Sequence, residues 1–294
     1  MASEVMAKPA EATILQAINA AIADAMEEDE NVIVLGEDVA DPEEGGVVGV
    51  TKGLSSRFGE HRVRSTPISE QAIVGAAIGA SLIGFKPVAE IMLMNFTTVA
   101  MDMNVNHAAK LRFMSGGQTN VPIVIRTMTG TGLSTGGQHS DYLEAWFAHT
   151  AGIKVVAPCT PQDAYGLMRS AIEDPDPVII LEPKRLYNGP FDGHHDRPVT
   201  SWSKHELGEV PDGHYVVPLG KALIRRPGAA VTVLAYGTMV HVALAAAEET
   251  GIDAEVIDLR TLVPLDLDTI VESVKKTGRC VVIHEATMTS GYGA

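Results

Sequence analysis

Two hundred and ninety-four residues exceed the roughly 100–200 of one typical domain, so two domains are expected. A content of 46% apolar residues excludes a disordered chain, and 28 glycines with 16 prolines scattered through it exclude a long coiled coil. The formal net charge of -15, from 22 Lys and Arg against 37 Asp and Glu, offers no basic footprint for a phosphate backbone and sets nucleic acid aside as a partner.

Two cysteines, Cys159 and Cys280, are too few for a disulfide framework or a zinc site, so no metal ligands are expected from this chain. The opening residues MASEVMAKPAEATILQ lack the apolar run of an export signal, which predicts a reducing, cytoplasmic location. The longest apolar stretch, AIVGAAIGASLIGF from Ala72 to Phe85, is shorter than the ~20 residues of a membrane span and reads as a buried helix. Gly75 and Gly79 within it allow another backbone to approach, either from the same chain or across a subunit interface.

In chain order, helical spacing over Glu11–Glu28 precedes an apolar run, Asn31–Leu35. A helix over Ser69–Ile83 precedes Pro87–Met92, one over Thr97–Met114 precedes Val121–Arg126, and one over Asp141–Thr150 precedes Lys154–Ala157. A last helix, Pro161–Glu173, leads to Val178–Leu181. The apolar runs are short and mostly β-branched, as strands covered on both faces are. Such alternation predicts an α/β fold with a doubly wound, largely parallel sheet. That domain is expected over residues 1–183. A stretch rich in Pro, Gly, His and Asp over 184–218 reads as a linker. A smaller α/β domain follows over 219–294, with strands Val231–Ala235, Ala254–Asp258 and Cys280–His284 and helices Met239–Thr250 and Leu265–Lys276. It looks truncated, because no helix follows to cover its last strand.

Ligands of open parallel sheets bind beyond the carboxyl ends of the strands. Glu37 and Asp38 follow the first strand, as a solvated turn or as functional acids. Glu70 opens the apolar helix behind Ser69, which suits a capped, dipole-complementing acid as well as a catalytic one. Phe96 follows Asn95 at the next strand end, as core or as a ring platform. Gly130-Thr-Gly-Leu-Ser-Thr-Gly-Gly-Gln-His-Ser-Asp141 is a glycine loop that fits neither the dinucleotide fingerprint nor a Walker loop. Asp141 and Glu144 there form a plausible capping box. His139, set among glycines just outside a helix start, has few core neighbours to explain it and is taken as functional.

The strings Leu35-Gly-Glu-Asp-Val39, Thr66-Pro-Ile-Ser-Glu70, Asn106-His-Ala-Ala-Lys110 with Met114-Ser-Gly-Gly117, Gln138-His-Ser140, Val155-Val-Ala-Pro158 and Glu255-Val-Ile-Asp-Leu-Arg260 stand in order along nearly the whole chain. Together they resemble the β subunit of the thiamin-diphosphate-dependent first component of 2-oxo acid dehydrogenase complexes, the pyruvate, branched-chain and acetoin group. The resemblance implies a pyrimidine-binding domain followed by a transketolase C-terminal-type domain. It implies an α2β2 heterotetramer that oxidatively decarboxylates a 2-oxo acid, pyruvate-like, and passes the acyl group to a lipoyl domain of a dihydrolipoyl acyltransferase core. By the same resemblance Glu70 bonds N1′ of the aminopyrimidine of thiamin diphosphate, Phe96 stacks on that ring, Glu37 belongs to a proton path between paired sites, and His139 assists substrate binding and acyl transfer.

The chain departs from the family at Asp141, where glutamine is usual, at Tyr142, where a small residue is, and at Ser65, where Asp is frequent. The first two neighbour His139 and bear on substrate or acceptor, which keeps an acetoin- or diketone-cleaving or carboligating subunit as the alternative. A non-catalytic scaffold or nucleotide-binding subunit is opposed by the joint presence of Glu70 and His139. Thiamin sites also need Gly-Asp-Gly and an asparagine to hold Mg2+ and the diphosphate. Only Phe191-Asp-Gly193 and Pro211-Asp-Gly213 come near, so an α subunit is expected to supply that half. Residues around Asp174-Pro-Asp176 match a K+ site of some relatives, with Asp176 replacing asparagine.

Overall fold

The computed structural model describes residues 11–131, 135–187 and 207–294. The middle of the glycine loop and the Asn188–Asp196 stretch of the expected linker lie outside the described residues. In chain order the strands are β1 (Glu11–Ala12), β2 (Val32–Gly36), β3 (Val63–Ser65), β4 (Lys86–Leu93), β5 (Val124–Thr129), β6 (Lys154–Val156) and β7 (Val178–Pro183). There follow β8 (Gly208–Glu209), β9 (Leu223–Arg226), β10 (Val231–Ala235), β11 (Ala254–Asp258), β12 (Thr261–Val263) and β13 (Cys280–Ile283). The helices are α1 (Ile14–Glu28), α2 (Leu54–Phe58), α3 (Glu70–Ser81), α4 (Leu111–Met114), α5 (Glu144–Ala148), α6 (Pro161–Glu173), α7 (Thr238–Thr250) and α8 (Leu267–Thr277).

The larger sheet has seven strands in the order β12-β6-β7-β5-β4-β2-β3, parallel except for β12, which pairs antiparallel with β6. Alternation along each strand feeds two cores. Val178 and Ile180 face one, with α1 and α6, whereas Ile179 and Leu181 face the other, with Ile73 and Val74 of α3. The smaller sheet, β13-β10-β11-β9, is mixed, with β9 antiparallel to β11. The fold is therefore α/β with a mostly parallel seven-stranded sheet and a second, smaller mixed one, as the alternation predicts. The edge strand β12 comes from the second half of the chain, so the two halves share the large sheet.

Local signals account for most boundaries. Thr13 and Gln16 form a reciprocal capping box on α1. Thr160 caps α6, with Pro161 in its first turn. Three expectations need correction. The helix expected over Thr97–Met114 is broken into a 3-10 turn (Met94–Thr98), a π-turn (Met103–Ala108) and α4. Thr97 Oγ1 and Thr98 Oγ1 bond the carbonyls of Met94 and Asn95 at 2.6 and 2.7 Å, which favours the tighter turn. The apolar stretch from Ala72 is not buried all round: Ala72, Ala76 and Gly79 are exposed, Ile83 is 77% exposed, and nothing lies within 4 Å of a Cβ placed on Gly79. Asp141 and Glu144 form no capping box, because Leu143 is the N-cap of α5 and Asp141 bonds elsewhere.

Candidate active site

Four adjacent strand ends carry the four candidate residues. Glu37 follows β2, Glu70 opens α3 after β3, Phe96 lies in the turn after β4, and His139 ends a 3-10 turn, Gly137–His139, after β5. The first two ends are tied together: Gly36 pairs with Ser65 in register, and the Thr66 N–H donates to the Gly36 carbonyl at 2.8 Å. Gly36 leaves no room for a side chain, since a Cβ there would lie 2.8 Å from the Cβ of Glu90. Ser65, the residue that departs from the frequent Asp, accepts from the Ala40 N–H at 3.0 Å and donates to Glu43 at 2.9 Å, fixing the turn that carries Glu37.

Ser69 makes no side-chain cap, so Glu70 stands alone at the positive end of α3. Its side chain is buried at 8% exposure and has no hydrogen bond or ion pair among the described residues. The Glu70 oxygens are not sealed off from solvent, so a ligand can reach this acid, which no protein group among the described residues engages. Burial, and then the charges of Glu70 and Asp38, hold the half-buried Glu37 carboxyl above its ordinary value. The ionised form of Glu37 is thus disfavoured by folding, a penalty that is full above its raised folded value and absent below its unfolded one. Glu37→Gln is expected to raise Tm at pH 8 and to leave it nearly unchanged at pH 4. Equal shifts at both pH values in a thermal melt would show that ionisation of Glu37 is not their source.

The ring of Phe96 meets that of His139 edge to face, with centroids 5.5 Å apart. His139 Nδ1 is buried without a partner among the described residues, as is Thr66 Oγ1. The Asn95 amide donates to Asp141 at 2.6 Å, so Asp141 lies on the Phe96 side of the loop. Tyr142 points the other way: it packs edge to face on Tyr236 at 5.8 Å, and its hydroxyl sits against Gly237. Of the two departures beside His139, one faces the site and the other joins the two halves of the chain.

Beneath the carboxylates runs a buried ionic row that the sequence pattern does not announce. Arg126 on β5 binds Glu90 on β4 and, in a fork, Glu182 on β7, with Nε to Oε1 at 2.9 Å and Nη2 to Oε2 at 2.6 Å. The Tyr187 hydroxyl donates to the same Glu182. Burial pushes Glu90 up despite Arg126. It would depress Arg126, but the charges of Glu182 and Glu90 outweigh it and keep the guanidinium protonated. A second buried group joins the two halves: Arg225 bonds Asp163 and Asp258, with Cys159 Sγ 3.0 Å from Asp258. Cys159, Asp163 and Asp258 are close enough to share a metal, yet the Arg225 guanidinium already holds that place. The Asp174 and Asp176 carboxylates likewise carry protein cations, Lys154 at 2.6 Å and Arg112 at 2.6 Å.

Residues 10–190 match the family described as transketolase, pyrimidine binding domain, and residues 220–294 match the transketolase C-terminal domain. The β subunit of 2-oxoisovalerate dehydrogenase from Pseudomonas aeruginosa is 55% identical over 96% of this chain and 80% of its own length. The β subunit of acetoin:2,6-dichlorophenolindophenol oxidoreductase from Cupriavidus necator is 48% identical over 94% of this chain and 79% of its own. The pyruvate dehydrogenase E1 β subunit of Bacillus subtilis is 44% identical over 97% and 83%. Among solved structures, a split-gene transketolase described as an inactive β4 tetramer superposes with a TM-score of 0.72 at 22% identity, over 96% of this chain and 82% of that one. A transketolase from Pichia stipitis gives 0.66 at 18% identity, over 94% of this chain and 39% of its own. Those two likenesses concern the fold.

Proposed function

The chain belongs to the family of 2-oxo acid dehydrogenase first-component β subunits built from transketolase-type domains, and from that membership we propose that it forms the pyrimidine half of a thiamin diphosphate site in a branched-chain 2-oxo acid dehydrogenase. The observation that carries the proposal is Glu70, a largely buried residue whose carboxylate reaches solvent and has no protein partner among the described residues, at a helix start beside the protonation-prone Glu37. The motifs taken by themselves suggest a pyruvate-like acid. The 55% relative acts on 2-oxoisovalerate by its name, which favours a branched-chain acid instead.

The residues fit the aminopyrimidine half of the cofactor: an acid unpartnered among the described residues at one strand end, and an aromatic ring with an orphaned buried Nδ1 beside it, stand at neighbouring strand ends of one sheet. They do not fit Mg2+ and the diphosphate. The sequence holds no Gly-Asp-Gly, and Asp212 of the nearest described string is exposed. An α subunit, as the β-subunit names of the relatives imply, is the proposed source of that half and of the cover over the open face of α3. The chain is read as a pyrimidine-binding domain over 1–183, a linker over 184–218 and a C-terminal domain over 219–294. The Asp174 and Asp176 carboxylates, near which the K+ site of some relatives is expected, are paired with Lys154 and Arg112, and the proposed chemistry is built without K+. No helix among the described residues is long and apolar enough to cross a membrane.

When bound, the cofactor supplies an electron sink for the pair left as a 2-oxo acid loses CO2. Glu70 holds a proton at N1′ of the aminopyrimidine. Phe96 would stack on that ring when the cofactor is bound. Glu37, which keeps a proton more readily than a free carboxyl, exchanges it with Glu70. His139 orients the substrate and serves the later passage of the acyl group to a lipoyl domain of an acyltransferase core. With its α subunit, the chain is expected to turn over 3-methyl-2-oxobutanoate in preference to pyruvate, with lipoyl domain as acceptor. The 48% relative supports a second reading as an acetoin-oxidising subunit. Acetoin turnover exceeding that of every 2-oxo acid tested would replace the first reading with the second.

A further inference from the structure

The glycine loop from Gly130 to Asp141 is closed at its base, where the Gly130 N–H and Thr129 Oγ1 both donate to the Asp141 carbonyl, at 3.2 and 3.1 Å. Two charged side chains from outside the loop then hold its two limbs. Lys184, just past β7 and 2% exposed, donates from Nζ to the main-chain carbonyl of His139 itself. Glu285, past the end of β13 in the smaller sheet, accepts from the Thr131 N–H at 3.4 Å and from Thr131 Oγ1 at 3.1 Å. The Glu285 carboxylate lies so close to Gly130 that a Cβ there would meet its Oε2 at 2.9 Å, which with a φ of +79° makes glycine the residue that fits.

We propose that Lys184 and Glu285 are positioning residues for His139, holding the loop at two points so that the second domain takes part in setting the imidazole edge to face with Phe96. A buried ammonium needs a partner, and Lys184 directs its hydrogen bond to the backbone of the candidate histidine. The charge of Glu285 favours the ammonium form of Lys184, against burial, which depresses it. Lys184 and Glu285 thus hold the loop at two separate residues, His139 and Thr131. The inference rests on His139 acting in substrate binding and acyl transfer.

The test uses the complex of this chain with its α subunit. Lys184→Met and Glu285→Leu remove the donor and the acceptor, whereas Glu285→Gln keeps an acceptor oxygen and serves as the rescue. Expected is faster amide hydrogen exchange confined to peptides spanning 130–141 in both disruptive variants. Lipoyl-dependent turnover should fall about ten- to a hundredfold, as small misplacements of a reacting group do. Glu285→Gln should restore both readouts, and neither disruptive variant should lose further turnover on a His139→Ala background. Unchanged loop exchange, or full turnover from a loosened loop while His139→Ala is impaired, would overturn the clamp and leave the reading of His139 standing. A His139→Ala enzyme with full acyl transfer would instead overturn that reading, whatever the loop does.

Discussion

Glu70→Gln is expected to slow hydrogen exchange at C2 of the bound cofactor by about 10²–10⁴-fold, the range of a lost acid–base group, and to lower decarboxylation with an artificial electron acceptor in parallel. The reason lies in the site: Glu70 is buried, has no protein partner among the described residues and stands at the start of α3, so its carboxylate is free for a ligand's ring nitrogen. Glutamine keeps the shape and removes the proton-sharing oxygen. His139→Ala, by contrast, should depress lipoyl-dependent turnover far more than C2 exchange. If Glu70 only complements the helix dipole, its replacement costs about 0.3–1 kcal/mol of stability and leaves catalysis intact in the folded fraction. Circular dichroism beside the exchange measurement separates the two outcomes.

Arg126→Met is expected to cost about 3–5 kcal/mol, because it leaves Glu90 and Glu182 buried without their cation. At ~2–4 °C per kcal/mol for a chain of this size class, Tm falls by roughly 6–20 °C. The sign of its pH dependence follows from Glu90, whose folded value is raised by burial. Without Arg126 that rise grows, so the penalty is full above the raised folded value, shrinks as pH falls through it and is gone below the unfolded one. The triple change Glu90→Gln, Arg126→Met and Glu182→Gln should recover much of the loss. A deficit in Arg126→Met that is the same at pH 5 and pH 8 would show that lost packing, not uncompensated charge, sets its size.

Strong periodicity makes α6 legible to the residue, and β10 and β11 likewise, because caps and glycines mark their ends. The short strands β3 and β12 are not legible. Each has three residues, lies at an edge of the sheet and gains its conformation from the neighbour it pairs with. The region from Thr97 to Met114 keeps helical spacing, yet the Thr97 and Thr98 hydroxyls tighten its start by bonding nearby carbonyls, a competition that apolar periodicity does not record, and the π-turn over Met103–Ala108 has no such local cause. Glu37, Glu70, Phe96 and His139 can be picked out because strand ends of parallel sheets are where ligands bind, and the family resemblance gives each a role. Lys184 and Glu285 carry no such signal, since their partners are loop groups far away in sequence and each reads alone as an ordinary solvated charge. Arg126 is hidden inside an apolar strand, and only the register of three strands shows the two acids it serves.

Calorimetric titration of thiamin diphosphate with Mg2+ shows whether this chain carries the pyrimidine half of the cofactor site and needs a partner for the other. The chain alone, its α subunit alone and the assembled pair would be titrated under identical conditions. A divided site predicts saturable binding by the pair and binding weaker by at least about a hundredfold, or about 2.8 kcal/mol, for this chain alone. Stoichiometric, Mg2+-dependent binding by the isolated chain at the affinity of the pair would contradict it.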